Sequence, residues 1–467
     1  MRRWFDERLG LSGITRSALH KVFPDHWTFL LGEVALFCFL VLLVTGVFLT
    51  LFYVPDATSV TYTGPYDPLK GREMSAAYAS TLNLSFGVQA GLVVRQMHHW
   101  SALVFLAAIS VHLMRIFFTG AYRRPREINW LVGIGLLTLA LAMGVTGYSL
   151  PDDLLSGTGL RIIYTVVLSI PFLGPYLAFL LFGGEFPTAA IISRLFVFHV
   201  MLLPAILIGG IVIHIAILVR QKHSQWPGLG RTEDNVVGRA FWPSQALRST
   251  GLALLTTAVL ALMGGVIQVN PIWIYGPFDA TQVSAPAQPD WYVGWLEGAI
   301  RLFPSFEITV LGITIPAVFL PAIVIPGLAF AAMALWPFIE AAVTRDHERH
   351  QLLQRPRDAP LRTAIGVAGL TFFVLLTVAG GNDVIANIFR VQVEVVTVVF
   401  RILVLAGPVI AGVAAYLACA ELRRREQAGA HDPATVRLRR NASGGVDEIG
   451  EVDPPTGSSP RPPAPPG

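Results

Sequence analysis

Four histidines lie in two long apolar segments, at spacings that put each pair on one side of a helix. His98 and His112 are fourteen residues apart, and His199 and His214 are fifteen apart. In an α-helix these spacings leave each pair separated by about 40 to 60° around the axis and by roughly 21 to 22 Å along it. Two imidazoles that face each other across two helices can supply both axial ligands of a six-coordinate haem, an arrangement that suits electron transfer. The spacing therefore predicts two stacked haem sites, with these ligands: His98 with His199, and His112 with His214.

Other uses of these histidines remain open. Ionisable side chains are costly inside a bilayer and often belong to proton relays, so a relay is the main alternative. A zinc site usually takes four ligands that include cysteine or carboxylate, and neither predicted layer supplies them. His99 would lie about 140° from His112 around the helix, so it belongs to neither pair. Cys38 and Cys419 are isolated in apolar runs, so they form no haem-attachment or metal-binding motif.

Glycines in two further apolar segments repeat with the period of the histidines. In each segment two glycines are fourteen residues apart; the four are Gly32, Gly46, Gly133 and Gly147. Because glycine lets helices approach closely, this matched period favours contact with a flat porphyrin. Arg95 and Arg115 each lie three residues from a predicted ligand. Their guanidinium groups are placed to pair with haem propionates, although Arg115 could instead extend towards the membrane surface.

The elements that carry these residues are predicted to be membrane-spanning helices. Of the 467 residues, 54% are hydrophobic and only 14% are charged. That charged fraction is about half of the usual one, which excludes a single soluble domain. Eight apolar runs are long enough to cross a bilayer, and we label them spans A to H: Phe29–Val54, Ser85–Phe118, Trp130–Leu150, Leu195–Val219, Ser249–Val269, Ile308–Ile339, Thr363–Ala379 and Val391–Ala420. The predicted fold is all-α and polytopic, with spans A to D forming a di-haem four-helix bundle.

Basic residues set the predicted orientation. Lys and Arg in short loops stay in the cytoplasm, and with eight spans every basic cluster falls on the side of the N-terminus. A further apolar run, Ile162–Phe182, would break this pattern if it also crossed, and Pro171 and Pro175 interrupt it. We therefore predict two short helices on the outer surface after span C. The protein is expected in the cell membrane, with both termini cytoplasmic.

The chain divides into four predicted regions. Residues 1–28 form a cytoplasmic N-terminal segment without the pattern of a cleavable signal peptide. Residues 29–222 form the di-haem bundle, and residues 223–420 hold spans E to H with a long outer loop between E and F. Residues 421–467, rich in Arg, Gly, Ser and Pro, are predicted to be a disordered cytoplasmic tail.

Several motifs resemble cytochrome b of the quinol–cytochrome c reductases, over about residues 20 to 420. They are RQMHHWSA with His98, VHLMR with His112, GYSLP after span C, FHVMLLP with His199, IVIH with His214, and PDWY at Pro289–Tyr292. The segments Lys222–Gly228 and Asn270–Pro277 look most like the actinobacterial menaquinol enzyme. Eight helices in one chain are similar to the full-length form, whereas the fifteen-residue step in span D is similar to the b6-type form. The resemblance implies two haems b: the low-potential haem bL at the outer pair of histidines and haem bH at the inner pair.

The resemblance also implies a quinol-oxidising site on the outer side. In PDWY, Asp290 would accept a proton from quinol and Tyr292 would bind and position it, since a general base must lie within hydrogen-bonding distance. The family's commoner form has glutamate here, so the shorter Asp290 implies a tighter pocket or an intervening water. PDWY could instead be a turn with an interfacial aromatic anchor. The other residues expected to line this pocket are Tyr148, Pro151, Gly159 and Pro289.

A quinone-reducing site is implied on the cytoplasmic side. The His and Asp that serve other family members there do not carry over, because the corresponding region reads Val219–Arg220 and Arg248–Ser249. Glu33, at the cytoplasmic end of span A, could supply protons, or could simply reach the headgroup region. Arg220 and His223 are further candidates.

The implied function is that of the di-haem subunit of a menaquinol–cytochrome c reductase. Quinol oxidised outside would give one electron to a Rieske iron–sulfur subunit and one through haems bL and bH to a quinone inside, coupled to proton translocation. Expected partners are the Rieske subunit, a cytochrome c or c1-type subunit, a terminal oxidase in a supercomplex, membrane lipid and a second copy of the chain, with no nucleic acid. From the residues alone two alternatives stay open: a di-haem anchor of another quinone-linked dehydrogenase, and a proton-coupled transporter.

Overall fold

Long apolar helices dominate the computed structural model, which describes residues 19–282, 288–310, 312–429, 435–440 and 446–452. Within these residues eight helices are long and apolar enough to cross a membrane, so the predicted all-α fold with eight spans is confirmed. The bounds of spans A to H are Trp27–Thr50, Gly91–Phe118, Glu127–Tyr148, Ala190–Gln221, Phe241–Val266, Leu320–Thr344, Pro360–Ala379 and Val393–Gln427.

Apolar side chains face both the protein interior and the surroundings, as expected of a protein embedded in a lipid bilayer. Val44, Leu254 and Leu405 are 74%, 68% and 76% exposed, which water would oppose and a bilayer favours. The main core joins spans A to E, and its most buried members include Cys38, Phe39, Leu106, Ala140, Leu207 and Leu260. A second core joins the helix Trp291–Leu302 to spans G and H.

Shorter elements connect the spans. The helices are Asp67–Leu69, Ala76–Phe86, Leu154–Leu168, Gly174–Phe182, Ile272–Tyr275, Trp291–Leu302, Pro356–Asp358 and Asn382–Phe389. Four two-stranded antiparallel sheets pair Val22–Phe23 with Arg239–Ala240, Ser59–Thr61 with Glu73–Ser75, Ile308–Val310 with Ile313–Ile315, and Thr435–Arg440 with Val446–Val452.

Two spans, B and F, begin several residues later than predicted. Span B starts at Gly91 and not at Ser85, because residues 76–86 form a separate helix. The chain reverses direction through Ala90 at φ +63°, and Gly91 has no Cβ to collide with the Leu84 carbonyl. Span F starts at Leu320 and not at Ile308, since the β-branched residues of 308–315 form a strand hairpin instead.

A single π-helical turn explains the uneven histidine spacing. Span D contains a π-helix at Phe198–Leu202, in which the Leu203 N–H donates to the Phe198 carbonyl five residues earlier. Such a turn takes in one extra residue. The fifteen-residue step from His199 to His214 is therefore equivalent to the fourteen-residue step in span B.

The run after span C forms two helices, as predicted. Asp153 caps the first, Leu154–Leu168, in a reciprocal bond with Ser156, and the chain turns before the second, Gly174–Phe182. Of the tail predicted for residues 421–467, the structure describes a helical start and two strands, and its disorder stays a prediction. Span H continues as a helix to Gly429, stabilised by ion pairs from Glu421 to arginines three and four residues later, and two strands follow. Residues 430–434, 441–445 and 453–467 lie outside the described part of the chain.

Candidate functional site

Each of the four predicted glycines lies against one of the four predicted histidines. A Cβ on Gly32 would lie 3.2 Å from Cε1 of His112, and one on Gly46 would lie 3.3 Å from Cε1 of His98. A Cβ on Gly133 would lie 3.7 Å from Cε1 of His214. At Gly147 a Cβ would overlap the ring of His199. The common period in the sequence is therefore a set of helix-to-helix contacts in which glycine gives the imidazole rings their space.

In the His98–His199 layer the two rings lie next to each other with their planes at 75°. Their centroids are 6.3 Å apart. A metal ion bound to one nitrogen of each ring, at about 2 Å on each side, needs a centroid separation of about 6 Å. The spacing therefore fits one iron between the rings. No three His, Cys, Asp or Glu side chains of the described residues could share a metal ion.

Two threonine hydroxyls orient the rings of this layer. Thr45 Oγ1 lies 2.8 Å from Nδ1 of His98, and Thr146 Oγ1 lies 3.2 Å from Nδ1 of His199. Each hydroxyl donates its hydrogen to the carbonyl four residues earlier in its own helix, at 2.6 and 2.8 Å. The hydroxyl oxygen must then accept from the ring, which places hydrogen on Nδ1 and leaves the Nε2 lone pair for a metal.

The His112–His214 layer has different surroundings. Its two histidines are close enough to interact electrostatically. Within the described residues, neither Nδ1 atom has a hydrogen-bond partner although both are buried. Among the described residues these rings have no side-chain hydroxyl as a partner; they pack against Gly32 and Gly133, and His214 also interacts with the backbone of Asn129.

Both predicted propionate partners, the buried Arg95 and the half-buried Arg115, have buried donor atoms without partners in the described part of the chain. Arg95 is 9% exposed, and its Nε and Nη2 have no partner among the residues described. The same two atoms of Arg115 are buried without a partner, and its guanidinium lies 4.2 Å from the centre of the Phe29 ring. An unpaired buried cation is costly. Each arginine therefore provides a place for an anionic group such as a propionate, and the donor set fits haem in both layers.

One cavity of about 290 Å³ connects the His98–His199 layer to PDWY. Its lining includes His98, His99, His199, Arg95, Tyr148, Pro151, Asp153, Asn270, Asp290 and Tyr292, and we call it the Asp290 cavity. Of the predicted pocket residues, Gly159 and Pro289 do not line it. Gly159 lies behind Tyr148, where a Cβ would be 3.8 Å from Cε1 of that ring.

Asp290 accepts hydrogen bonds from three side chains. His99 Nε2 lies 2.8 Å from Oδ2, and the Tyr292 hydroxyl donates to the same oxygen at 3.2 Å. Asn270 Nδ2 donates to Oδ1 at 3.3 Å. Burial, followed by the charge of Asp290, raises the pKa of Tyr292 well above its ordinary value, so the hydroxyl keeps its hydrogen and can donate.

Two more carboxyl groups lie at the edge of this region. Burial, opposed by a hydrogen bond with Ser75 and aided by the charge of the neighbouring Asp153, raises the pKa of Asp152 to about 6. Burial also raises the pKa of Asp153, which bonds Ser156 as the cap of its helix. Both carboxyl groups are thus less acidic than a free aspartate, and Asp153 contributes a polar edge to the Asp290 cavity.

The three predicted inner residues, Glu33, His223 and Arg220, have different surroundings. Glu33 Oε1 accepts from Gln245 at 3.1 Å, while Oε2 is buried without a partner in the described chain. The His223 ring packs on Phe23 at 4.6 Å between centroids. Burial, with the charges of Lys21, Arg126 and Arg115, lowers the pKa of His223 to about 4. Arg220 is exposed.

Five residues of this site are not predicted from the sequence. They are Thr45, Thr146, Gly144, His99 and Asn270. A Cβ on Gly144 would come within 2.7 Å of the Tyr292 hydroxyl, so this glycine admits the tyrosine ring. A signal for the threonines was present, because the dipeptide Thr-Gly occurs at the matching glycine of spans A and C. Contacts of His99 and Asn270 with Asp290 join residues 191 and 20 positions apart, and helical period does not reveal them.

This chain is similar to known proteins both in sequence and in fold. Residues 103–277 match a family model described as cytochrome b (N-terminal)/b6/petB. The cytochrome bc1 complex cytochrome b subunit of Streptomyces coelicolor is 48% identical over 424 residues, covering 91% of this chain and 78% of the relative. The protein of the same description from Mycobacterium tuberculosis is 48% identical over 423 residues, covering 90% and 77%. A solved hyperthermophilic respiratory Complex III has a similar fold, with a TM-score of 0.65, 21% identity, and coverage of 89% of this chain and 99% of that one.

Proposed function

The chain belongs to the cytochrome b subunits of bc1 complexes, and we propose that it oxidises menaquinol at the Asp290 cavity and returns one electron across the membrane to a quinone. The observation that carries this proposal is one cavity, which is lined by the rings of His98 and His199 and by the carboxylate of Asp290. An electron acceptor and a proton acceptor for one substrate would thus be neighbours.

Two haems b are the cofactors that the donor set fits. We propose that His98 and His199 hold haem bL, that the second histidine pair holds haem bH, and that Arg95 and Arg115 bind their propionates. When bound, the haems would supply one-electron transfer along the bundle. The glycines at both layers would leave room for the rings and the macrocycle, since helix surfaces without side chains allow close approach.

At the Asp290 cavity the residues would manage the protons of the quinol. Oxidation of one quinol yields one quinone, two electrons and two protons, so each hydroxyl must lose its hydrogen. Asp290 would accept one of these protons at Oδ1, which receives only the long bond from Asn270 within the described part of the chain. Tyr292 would fix the carboxylate and the substrate, because its buried hydroxyl stays protonated. The apolar lining from spans A, C and D would hold the quinol ring and exclude water.

Quinone reduction would take place on the other side, where Glu33 is the proposed proton carrier. Its free Oε2 is buried, and Gln245 holds the other oxygen. His223 would be neutral at neutral pH because its pKa is lowered to about 4. It would therefore donate a hydrogen bond and not a proton, unless a bound anion offset the surrounding cations. The exposed Arg220 is the weakest of the proposed residues.

The reaction would require other subunits. The two cysteines are buried in different spans and cannot together form an iron–sulfur site. We propose that a Rieske subunit takes the second electron, that a cytochrome c or c1-type subunit follows, and that the assembly is dimeric and passes electrons to a terminal oxidase. The basic loops would lie in the cytoplasm, with the Asp290 cavity on the outer side of the cell membrane.

A matched pair of aspartate variants tests this function in the purified complex. Asp290→Asn should slow menaquinol-driven cytochrome c reduction by about 100-fold or more, because it removes a general base. Asp279→Asn makes the same charge change in the same outer loop, on a half-buried residue that does not line the Asp290 cavity, and should leave the rate near that of the unmodified complex. Equal rates for both variants would contradict the assignment of Asp290.

A further inference from the structure

We propose that His99 is a positioning residue, which holds the Asp290 carboxylate in the orientation that accepts a proton from quinol. The proposal rests on the proposed function of the Asp290 cavity. It gives a role to the histidine that belongs to neither ligand pair. The bond from His99 Nε2 to Asp290 Oδ2 is 2.8 Å long, and the two side chains are 16% and 7% exposed. A short bond between buried partners is little weakened by solvent.

Three donors from different parts of the chain restrain this carboxylate. His99 comes from span B, Asn270 from the segment after span E, and Tyr292 from the helix that Asp290 itself begins. His99 and Tyr292 both donate to Oδ2, whereas among the described residues Oδ1 accepts only the 3.3 Å bond from Asn270. Since a carboxylate oxygen can accept two hydrogen bonds, Oδ1 keeps capacity for a substrate hydroxyl. His99 therefore determines which oxygen faces the substrate.

The position of His99 is fixed by its neighbours on the same helix face. Gln96 donates to the Val269 carbonyl at 3.0 Å and accepts from the Val269 N–H at 2.7 Å. Trp100 donates to the Ile267 carbonyl at 2.8 Å. Residues three and four apart share a helix face, so the face that carries His99 is joined to the end of span E. His98, one residue away, faces His199 instead.

This arrangement connects the two acceptors of one reaction through adjacent residues. His98 presents its ring to the site of the electron acceptor, and His99 presents its ring to the proton acceptor. The bond to Asp290 needs only a hydrogen on Nε2, which the neutral ring can provide. A displacement of a catalytic group by about 1 Å can cost roughly 100-fold in rate. Loss of the bond should therefore affect turnover and leave haem binding intact.

Variants of His99 in the whole purified complex test the proposal. His99→Leu removes the donor, and the kcat of menaquinol oxidation should fall by about 10- to 100-fold with both haem absorption bands retained. His99→Gln, whose amide can donate to Asp290, should recover most of that loss, whereas the shorter His99→Asn should not. Ser101→Ala, two residues along and bonded to the Met97 carbonyl of its own helix, is the matched control and should keep the unmodified rate.

A double-mutant cycle separates positioning from a general structural role. If His99 acts through Asp290, His99→Leu should cost little further rate in a chain that already carries Asp290→Asn. Full additivity, or equal losses for the Gln and Leu variants, would overturn the proposal. If the Leu variant does not assemble, the comparison of Gln with Asn decides in the same way. An unmodified complex without menaquinol oxidation would refute the proposed function itself, whereas an active complex unaffected by His99→Leu would refute only the positioning role.

Discussion

The His98–His199 and His112–His214 layers share a pattern of ligands and glycines but differ in what surrounds the rings. In the first layer Thr45 and Thr146 accept from the Nδ1 atoms, and a cavity leads to a carboxylate bound by three donors. In the second, the buried Nδ1 atoms have no partner within the described chain. The difference teaches that equal ligand spacing does not imply equal chemistry, because the neighbouring groups set ring orientation, basicity and access to substrate.

The surroundings beyond the rings differ in charge as well. Asp290 and Asp153 line the cavity beside the first layer. Beside the second, Lys21, Arg115 and Arg126 act together on His223. A carboxylate can accept the protons that quinol releases. A cationic cluster stabilises bound anions and the more negative, reduced form of an electron acceptor. We infer that the two layers serve opposite halves of one reaction.

Loss of a ligand in either layer should have the largest effect. His98→Asn should remove one haem b and leave the other, and His214→Asn should do the converse, because each residue serves one pair. The haem content of the purified complex should fall from two per chain to one in each variant. Retention of two haems in both variants would break the comparison at its base.

Alanine at the layer glycines should separate the two layers. Gly147→Ala places a methyl group in the space of the His199 ring, whereas Gly133→Ala places one 3.7 Å from His214, an ordinary contact. We expect Gly147→Ala to lower occupancy of the first layer by about tenfold, a loss typical of a disturbed ligand shell. Gly133→Ala should lower that of the second layer less. Haem absorbance and redox titration of both variants measure this, and a larger loss for Gly133→Ala would reverse the ranking.

The threonine bonds should tune only the first layer. Without a hydroxyl acceptor the Nδ1–H group is less polarised, the ring is a poorer donor to oxidised iron, and the midpoint potential rises. For Thr45→Val combined with Thr146→Val we expect a rise of roughly 20 to 60 mV, from one hydrogen-bond contribution and the one-electron scale. Thr138→Val is the control, since that hydroxyl donates to the Ile134 carbonyl of its own helix. A shift in the second layer would contradict the assignment.

The smallest expected effect belongs to Glu33. Glu33→Gln keeps a partner for Gln245 but removes the charge, and we expect haem reduction by quinol from the cytoplasmic side to slow a few-fold, with a flatter pH dependence. Glu127→Gln, at the start of span C, makes the same change on the same predicted side. It is the matched control and should leave the rate of haem reduction unchanged. If Glu33→Gln leaves both the rate and its pH dependence unchanged, the proposed inner site is wrong.

The sequence predicted the long helices well because apolar length and charge determine them. It failed where local geometry competes with length. Ser85 and Ile308 lie in apolar runs, but neither residue belongs to the span predicted for it. A positive φ at Ala90 separates Ser85 from span B, and a hairpin of β-branched residues precedes span F. The π-turn around His199 could not be predicted either, although the extra residue between His199 and His214 was visible.

Some residues of the site could be predicted from the sequence, and others could not. Ligand and glycine positions follow from helical period, and the structure places each glycine against a histidine. The bond between His99 and Asp290 depends on the return of the outer loop to span B, which no local pattern encodes. Among the inner candidates, the exposure of Arg220 and the pairing of Glu33 with Gln245 likewise depend on how distant segments meet.

Haem stoichiometry tests the central claim most directly. The purified complex should contain two haems b per copy of this chain, and a redox titration of their absorbance should resolve two one-electron steps, with menaquinol able to reduce both. That result would agree with two haem-binding layers, each formed by two histidines and two glycines. A complex with no b-type absorbance, or with a single haem b for each copy of this chain, would contradict it.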